Sequence, residues 1–142
     1  ISSAGGAGYW CGAADYAQWA GGRLPTAAEW EKAALSTTPF QPGDFLTVLP
    51  RKGAVPVTIA SPGLSGMTGM TGNVWEWCSD WYDRDYYGKS PMSNPTGPAL
   101  GKEKVIRGGS WGSAEASKRI RNRHGASPQG YYRTVGLRIV KE

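Results

Sequence analysis

Few side chains in this sequence are equipped for chemistry. His124 is the one histidine of the chain, so any Ser-His-Asp or Cys-His site must use it. It stands beside Gly125, Ala126 and Ser127 with no partner at a telling spacing, which is the setting of a solvated loop residue. Cys11 and Cys78 are the two thiols, too few with one histidine for a Cys/His zinc site. Their aromatic and apolar neighbours predict two buried free thiols, and a pairing of the two stays open. Asp80, Asp83 and Asp85 could offer carboxylates to Ca²⁺, but their spacing is not that of an EF-hand loop, and solvated acids are the simpler reading. Gly97-Pro-Ala-Leu-Gly101-Lys102 resembles a phosphate loop, yet it is one residue short and lacks a Ser or Thr after the lysine. The expectation is a chain with no catalytic residues, no metal ligands and no cofactor, a structural Ca²⁺ being the one exception left open.

What remains is a surface. Between Val105-Ile-Arg-Gly-Gly-Ser-Trp111 and Val135-Gly-Leu-Arg-Ile-Val140, both strand-like, runs a stretch of small and polar residues interleaved with Arg119, Arg121, Arg123 and Arg133. It has neither helical nor strand periodicity, which predicts an irregular segment pinned at both ends. Pinned irregular surfaces commonly bind ligands.

Composition sets the frame for that surface. A chain of 142 residues can bury the core of one domain. Its 21 Gly, 10 Pro and 7 Trp favour a loop-rich α+β domain over a helical bundle. An apolar content of 39% argues against disorder. The net charge of +5 is concentrated late, with ten Lys/Arg from Lys102 onward against Glu103, Glu115 and Glu142. Phosphates or acidic partners fit that balance. Nucleic acid is not favoured, because no binding motif accompanies the charge and several arginines have structural work to do. No apolar run is long enough to span a membrane, and no signal peptide is visible.

The positioning elements follow in order. Residues 1–8 read as a flexible start. Gly12–Ala20 has helical spacing, with Gly21-Gly22 as a stop. Thr26 and Glu29 form a capping box for a second helix whose apolar face is Ala27, Trp30, Ala33 and Ala34. Phe45–Leu49 and Val55–Ile59 read as short strands, the latter at an edge because of Pro56. The Met-Thr-Gly triplet at 67–72 is turn chemistry. Asn73–Tyr82 predicts a central strand that sets Val74, Glu76 and Cys78 against Trp75, Trp77 and Trp81.

Three stretches together resemble the formylglycine-generating enzyme (sulfatase-modifying factor) family. They are Trp19-Ala-Gly-Gly-Arg-Leu-Pro-Thr-Ala-Ala-Glu-Trp-Glu31, Gly72-Asn-Val-Trp-Glu-Trp77, and Arg107-Gly-Gly-Ser-Trp111 with Gly136-Leu-Arg138. The resemblance implies an α+β, C-type-lectin-like fold of the formylglycine-generating subtype. Two helices then pack on a small twisted antiparallel sheet with long irregular loops, as a single domain over 9–142. It implies scaffold roles for Asn73, Trp75, Glu76, Trp77, Arg107, Trp111 and Arg138, and a structural role for Arg23 with Glu29. In the oxidase members a cysteine pair after the Gly-Gly-Ser-aromatic motif binds copper. Here that region holds Ser113 and Lys118, which cannot replace two thiolates.

The chain is also similar to the variable proteins of diversity-generating retroelements, which use the same fold subtype. In them, adenines of AAC codons are randomised, leaving NNC-type codons that cannot encode Lys, Glu, Gln, Met or Trp. This similarity implies a variable region over about 105–138. Its displayed residues are Gly112, Ser113, Ala114, Ser117, Arg121, His124, Gly125, Ala126, Ser127, Gly130, Tyr131, Tyr132, Arg133 and Thr134, none of an excluded type. Arg119, Asn122, Arg123 and Pro128 fall to the scaffold. The function implied is non-enzymatic binding of a variable macromolecular ligand, most simply a protein, with display at a cell surface or virion. A sulfatase-modifying oxidase and a lectin-like domain of fixed specificity are the alternatives.

Overall fold

Ala13 and Ala17 lie one helical turn apart on the inward face of the first helix, α1 (Trp10–Trp19), and their small side chains let it lie close against the sheet. The helix ends where Gly21 turns into the left-handed region at φ 78°, and Gly22 N–H donates to Ala17 O at 2.9 Å. The second helix, α2 (Ala27–Ser36), carries the predicted capping box. Glu29 N–H donates to Thr26 Oγ1 at 3.1 Å, and Thr26 N–H donates to Glu29 Oε2 at 2.8 Å. Asp80 takes the next free donor of that helix end, accepting from Ala27 N–H at 2.8 Å; its burial pushes the carboxyl up.

These coordinates are those of a computed structural model that describes residues 9–36, 53, 54, 56, 69–114, 117 and 119–142. Residues 1–8, Met67-Thr68 and, apart from Pro56, the two strands expected over 45–59 lie outside the described residues.

Four strands follow: β1 (Trp75–Trp81), β2 (Lys104–Arg107), β3 (Arg123–Ala126) and β4 (Val135–Gly136). They form one sheet in the order β3-β2-β1-β4. β2 runs antiparallel to both β1 and β3, but β4 runs parallel to β1, pairing Trp75 with Val135 and Glu76 with Gly136. The sheet is therefore mixed, and not wholly antiparallel as the resemblance implied. The chain re-enters beside the start of β1, where Trp75 N–H donates to Thr134 O at 2.7 Å, so it can only run alongside in the same direction. The strand expected over Val135–Val140 is also divided. After Gly136 the backbone leaves β1, and Val140 forms an antiparallel bridge with Arg23.

Alternation along the sheet assigns its two faces. Trp75, Trp77, Ile106, Ala126 and Val135 join Ala13, Ala17 and Leu24 in one apolar cluster. Cys78 and Val105 join Ala27, Trp30, Ala34 and Met70 in the other. The sheet is thus held between α1 and α2, with Trp77 and Trp30 each about 1% exposed. The pairing slips between Trp77 and Trp81, which takes Trp81 out of the expected row of three rings. Trp81 instead serves Lys104, whose ammonium lies 3.8 Å from the Trp81 ring centre and 4.1 Å from that of Trp10.

The glycine motifs interlock. Gly72 and Asn73 have φ of 73° and 67°, and Gly108 and Gly109 have 97° and 73°. Gly72 N–H donates to Gly108 O, and Trp111 N–H donates to Asn73 O, both at 2.8 Å. A Cβ at Gly108 would lie 2.7 Å from Met70 O and 3.1 Å from the Trp30 ring, so glycine is required for contact as well as for backbone angle. β1 accordingly begins at Trp75 and not at Asn73.

Candidate ligand-binding surface

The segment between Trp111 and Val135 is fixed at both ends by the β1 edge: Trp111 N–H bonds Asn73 O, and Thr134 O accepts from Trp75 N–H. Its middle is not irregular throughout. Arg123–Ala126 forms β3, in register with β2 from Lys104↔Ala126 to Arg107↔Arg123. Four residues that include Gly125 and Ala126 carry too little side-chain pattern to reveal a strand, whereas their backbone groups pair regardless of side chain.

That strand divides the expected displayed set. Ala126 is 7% exposed and belongs to the core beside α1, so it is corrected to scaffold. Gly125 is half-buried, and a Cβ there would lie 2.9 Å from the Tyr82 ring and 3.0 Å from Glu103 Cβ. A Cβ at Gly130 would run into the Tyr132 ring. Gly112 is open, with Ser110 Oγ at 4.0 Å the nearest neighbour. Gly112, Ala114, Arg121, His124, Tyr131 and Arg133 are exposed, while Ser113, Ser117, Ser127, Tyr132 and Thr134 are half-buried.

The half-buried members have local duties. Ser113 Oγ accepts from Ser110 N–H at 3.0 Å and lies 3.1 Å from Ser110 Oγ. The Tyr132 hydroxyl accepts from Ser127 N–H at 3.1 Å, and its ring centre is 6.0 Å from that of Trp77. The exposed members rest on the scaffold's aromatics. The His124 ring centre lies 4.8 Å from that of Trp75, and Tyr131 tilts against Tyr9 at 5.9 Å. Tyr9 extends the surface although nothing in its sequence context links it to Tyr131.

Among the residues expected to be scaffold, Arg123 stacks on Tyr87 at 4.5 Å and gives its two Nη groups to the carbonyls of Asp83 and Arg84. Pro128 is buried and its carbonyl accepts from Trp10 N–H at 3.2 Å. Arg119 is exposed, and its carbonyl accepts from Asn122 N–H. Beneath them, Arg107 is fully buried over the Trp30 ring, with Nη2 at 2.7 Å from both Glu31 Oε2 and Ile120 O. Its Nε and Nη1 find no hydrogen-bond partner among the described residues.

The carboxylates considered for Ca²⁺ do not converge. Asp80 is engaged with α2, and Asp83 bonds Asp85 N–H and Lys89. Among the described residues no three His, Cys, Asp or Glu side chains gather where a metal could sit. Cys78 is buried as expected, but Cys11 is exposed, and the two are unpaired thiols.

Among the described residues, two hollows adjoin the helices. One of about 950 Å³ lies between α1, the α1–α2 junction and residues 94–96, with none of the residues expected to be displayed on its walls. The Arg23–Glu29 pair on its rim has both guanidinium-carboxylate bonds at 2.8 Å, the structural role expected of it. The other, about 530 Å³, opens beside Arg121.

The sulfatase-modifying factor enzyme 1-like domain matches residues 9–142. The chain belongs to that family. A formylglycine-generating enzyme of Streptomyces coelicolor is 40% identical over 72% of this chain and 40% of its own length. A protein named serine/threonine-protein kinase pkn1 from Chlamydia pneumoniae is 39% identical over 93% of this chain but 23% of its own length. The chain thus spans well under half of these relatives. Treponema denticola variable protein 1, a diversity-generating retroelement variable protein, shares the fold with a TM-score of 0.72. It is 30% identical, over 82% of this chain and 46% of its own length. The fold is thus the C-type-lectin-like α+β fold expected. Of the two residues that stand where the resemblance places the oxidases' copper-binding cysteines, Ser113 is a hydroxyl 3.1 Å from Ser110 Oγ, and Lys118 lies outside the described residues. No described helix is long and apolar enough to cross a membrane.

Proposed function

We propose that this chain is a non-enzymatic binding module whose surface between Trp111 and Val135 is diversified to recognise variable protein ligands. One observation carries the reading: the exposed positions Gly112, Ala114, Arg121, His124, Tyr131 and Arg133 ride on a backbone held by β1 and β2. Such a backbone can change its chemistry without changing its path. Tyr131 offers broad contact at small entropic cost, and the His and Arg side chains offer adaptable polar contacts. The likeness to Treponema denticola variable protein 1 supports the same reading.

Sequencing the gene neighbourhood tests it. A reverse transcriptase and a near-identical, adenine-rich template repeat should lie close by, with substitutions confined to the exposed positions. Absence of both removes the diversification. Substitutions scattered over the whole surface among close relatives would favour a lectin-like domain of fixed specificity.

The identity to the Streptomyces enzyme favours one second reading, formylglycine generation. Aldehyde formation on a Cys-containing sulfatase peptide in the presence of copper would establish it and overturn the first.

A further inference from the structure

The hollow of about 530 Å³ beside Arg121 is walled by Lys32, Arg121, Arg123, Glu31, Tyr87 and Leu35. Its charge is one-sided. Glu31, the acid on this wall, bonds the buried Arg107 at 2.7 Å, so it does not neutralise the three cations facing the hollow. No salt bridge among the described residues occupies Lys32 or Arg121, and both are exposed. Arg123 gives its Nη groups to backbone carbonyls, which leave its net charge in place. The remaining wall is apolar, with Leu35 42% and Tyr87 38% exposed.

We propose that this recess binds an acidic segment of a protein partner. A Glu or Asp side chain enters with its carboxylate toward Lys32, Arg121 and Arg123 and its stem against Tyr87 and Leu35. Complementary charge of this kind steers and selects the partner. The hollow suits a side chain better than a nucleic-acid strand. Stacking of a base needs an open aromatic face, and the face of Tyr87 already carries the Arg123 guanidinium at 4.5 Å. Lys32 and Leu35 come from α2 and Tyr87 from the turn after β1, so most of this recess belongs to the scaffold. A diversified Arg121 would tune an acid preference that the scaffold supplies.

The proposal rests on the reading of this chain as a binding module. Fluorescence anisotropy tests it, with labelled oligo-glutamate, oligo-lysine and single-stranded oligonucleotide added to the full chain. Oligo-glutamate should bind at low salt and weaken as salt rises, and oligo-lysine should not bind. Lys32→Ala with Arg121→Ala should weaken oligo-glutamate roughly tenfold, the worth of two rim ion pairs, at an unchanged thermal midpoint. If that double variant does not fold, Arg121→Gln alone should show roughly a threefold loss. Equal affinity of variant and parent, no oligo-glutamate binding, or an oligonucleotide that binds as tightly each overturns the proposal. The outcome is separable from that of the gene-neighbourhood test: acid binding without a template repeat keeps the recess and removes the diversification, and the reverse result does the opposite.

Discussion

Glu76 and Arg138 form an ion pair 2.9 Å long between β1 and the segment after β4, with the Glu76 side chain only 4% exposed. The same carboxylate accepts Trp30 Nε1 at 2.7 Å and Arg138 Nε at 3.0 Å. One acid therefore joins the sheet, α2 and the segment after β4. The carboxylate holds the Arg138 guanidinium above its usual range.

Breaking that junction from one side should be costly. Glu76→Ala removes the carboxylate that faces both a mostly buried guanidinium and the Trp30 N–H, and about 3–5 kcal/mol of stability should go. The double variant Glu76→Ala/Arg138→Ala should lose less than the sum of the single losses. Urea denaturation reads both, and a single-variant loss under about 1 kcal/mol would contradict the junction.

The glycines between Trp111 and Val135 should behave unequally. Gly112→Ser enters open space and should change stability by less than about 0.5 kcal/mol. Gly125→Val must displace Tyr82 and Glu103 and should cost about 1–3 kcal/mol. Equal effects at the two positions in chemical denaturation would undo the distinction.

Replacing Ala114, Arg121, His124, Tyr131 and Arg133 together should leave the thermal midpoint within a few degrees, since exposed substitutions of this kind cost little. A melting curve checks this directly. A loss comparable with that of Glu76→Ala would place the segment in the core.

Much of this was legible in advance, for identifiable reasons. The Thr26–Glu29 capping box and the Gly21 stop are local, so short windows reveal them. The Gly72-Asn73 and Gly108-Gly109 motifs are local as well, although their mutual hydrogen bonds are not. β3 was hidden because its pairing with β2 is a backbone matter and Gly125-Ala126 has no pattern to show. Burial of Ala126 followed the same route: a small residue looks alike on a surface and beneath a helix. The acid-binding recess was illegible because Lys32, Tyr87 and Arg121 meet only through the fold.

Acid should weaken the helix junction. Arg23 holds the Glu29 carboxyl at about 2, below its ordinary 4.5. A depressed carboxylate contributes stability above its unfolded pKa and loses it as pH falls through the folded value. The advantage of the parent over Glu29→Gln should therefore be constant at neutral pH and shrink from about pH 4.5 toward pH 2. With side chains 43% and 41% exposed, screening limits the advantage to about 0.5 kcal/mol. An advantage that grows in acid would reverse the assignment.

The thiols should separate by access. Cys11 is exposed and Cys78 buried, and burial pushes the Cys78 thiol up. Ellman's reagent should titrate one thiol in the native chain and a second after denaturation. Two reactive thiols before denaturation would contradict the burial of Cys78.

The bridge between Arg23 and Val140 has a temporal meaning. Their backbone groups exchange hydrogen bonds of 3.0 and 2.8 Å, and Arg23 also grips Glu142 at 3.0 Å. A residue near the start of the domain is thus locked by residues that leave the ribosome more than a hundred positions later. Such long-range closure comes late and slowly. During synthesis the helix junction at Arg23 therefore waits for its backbone partner until Val140 has been made.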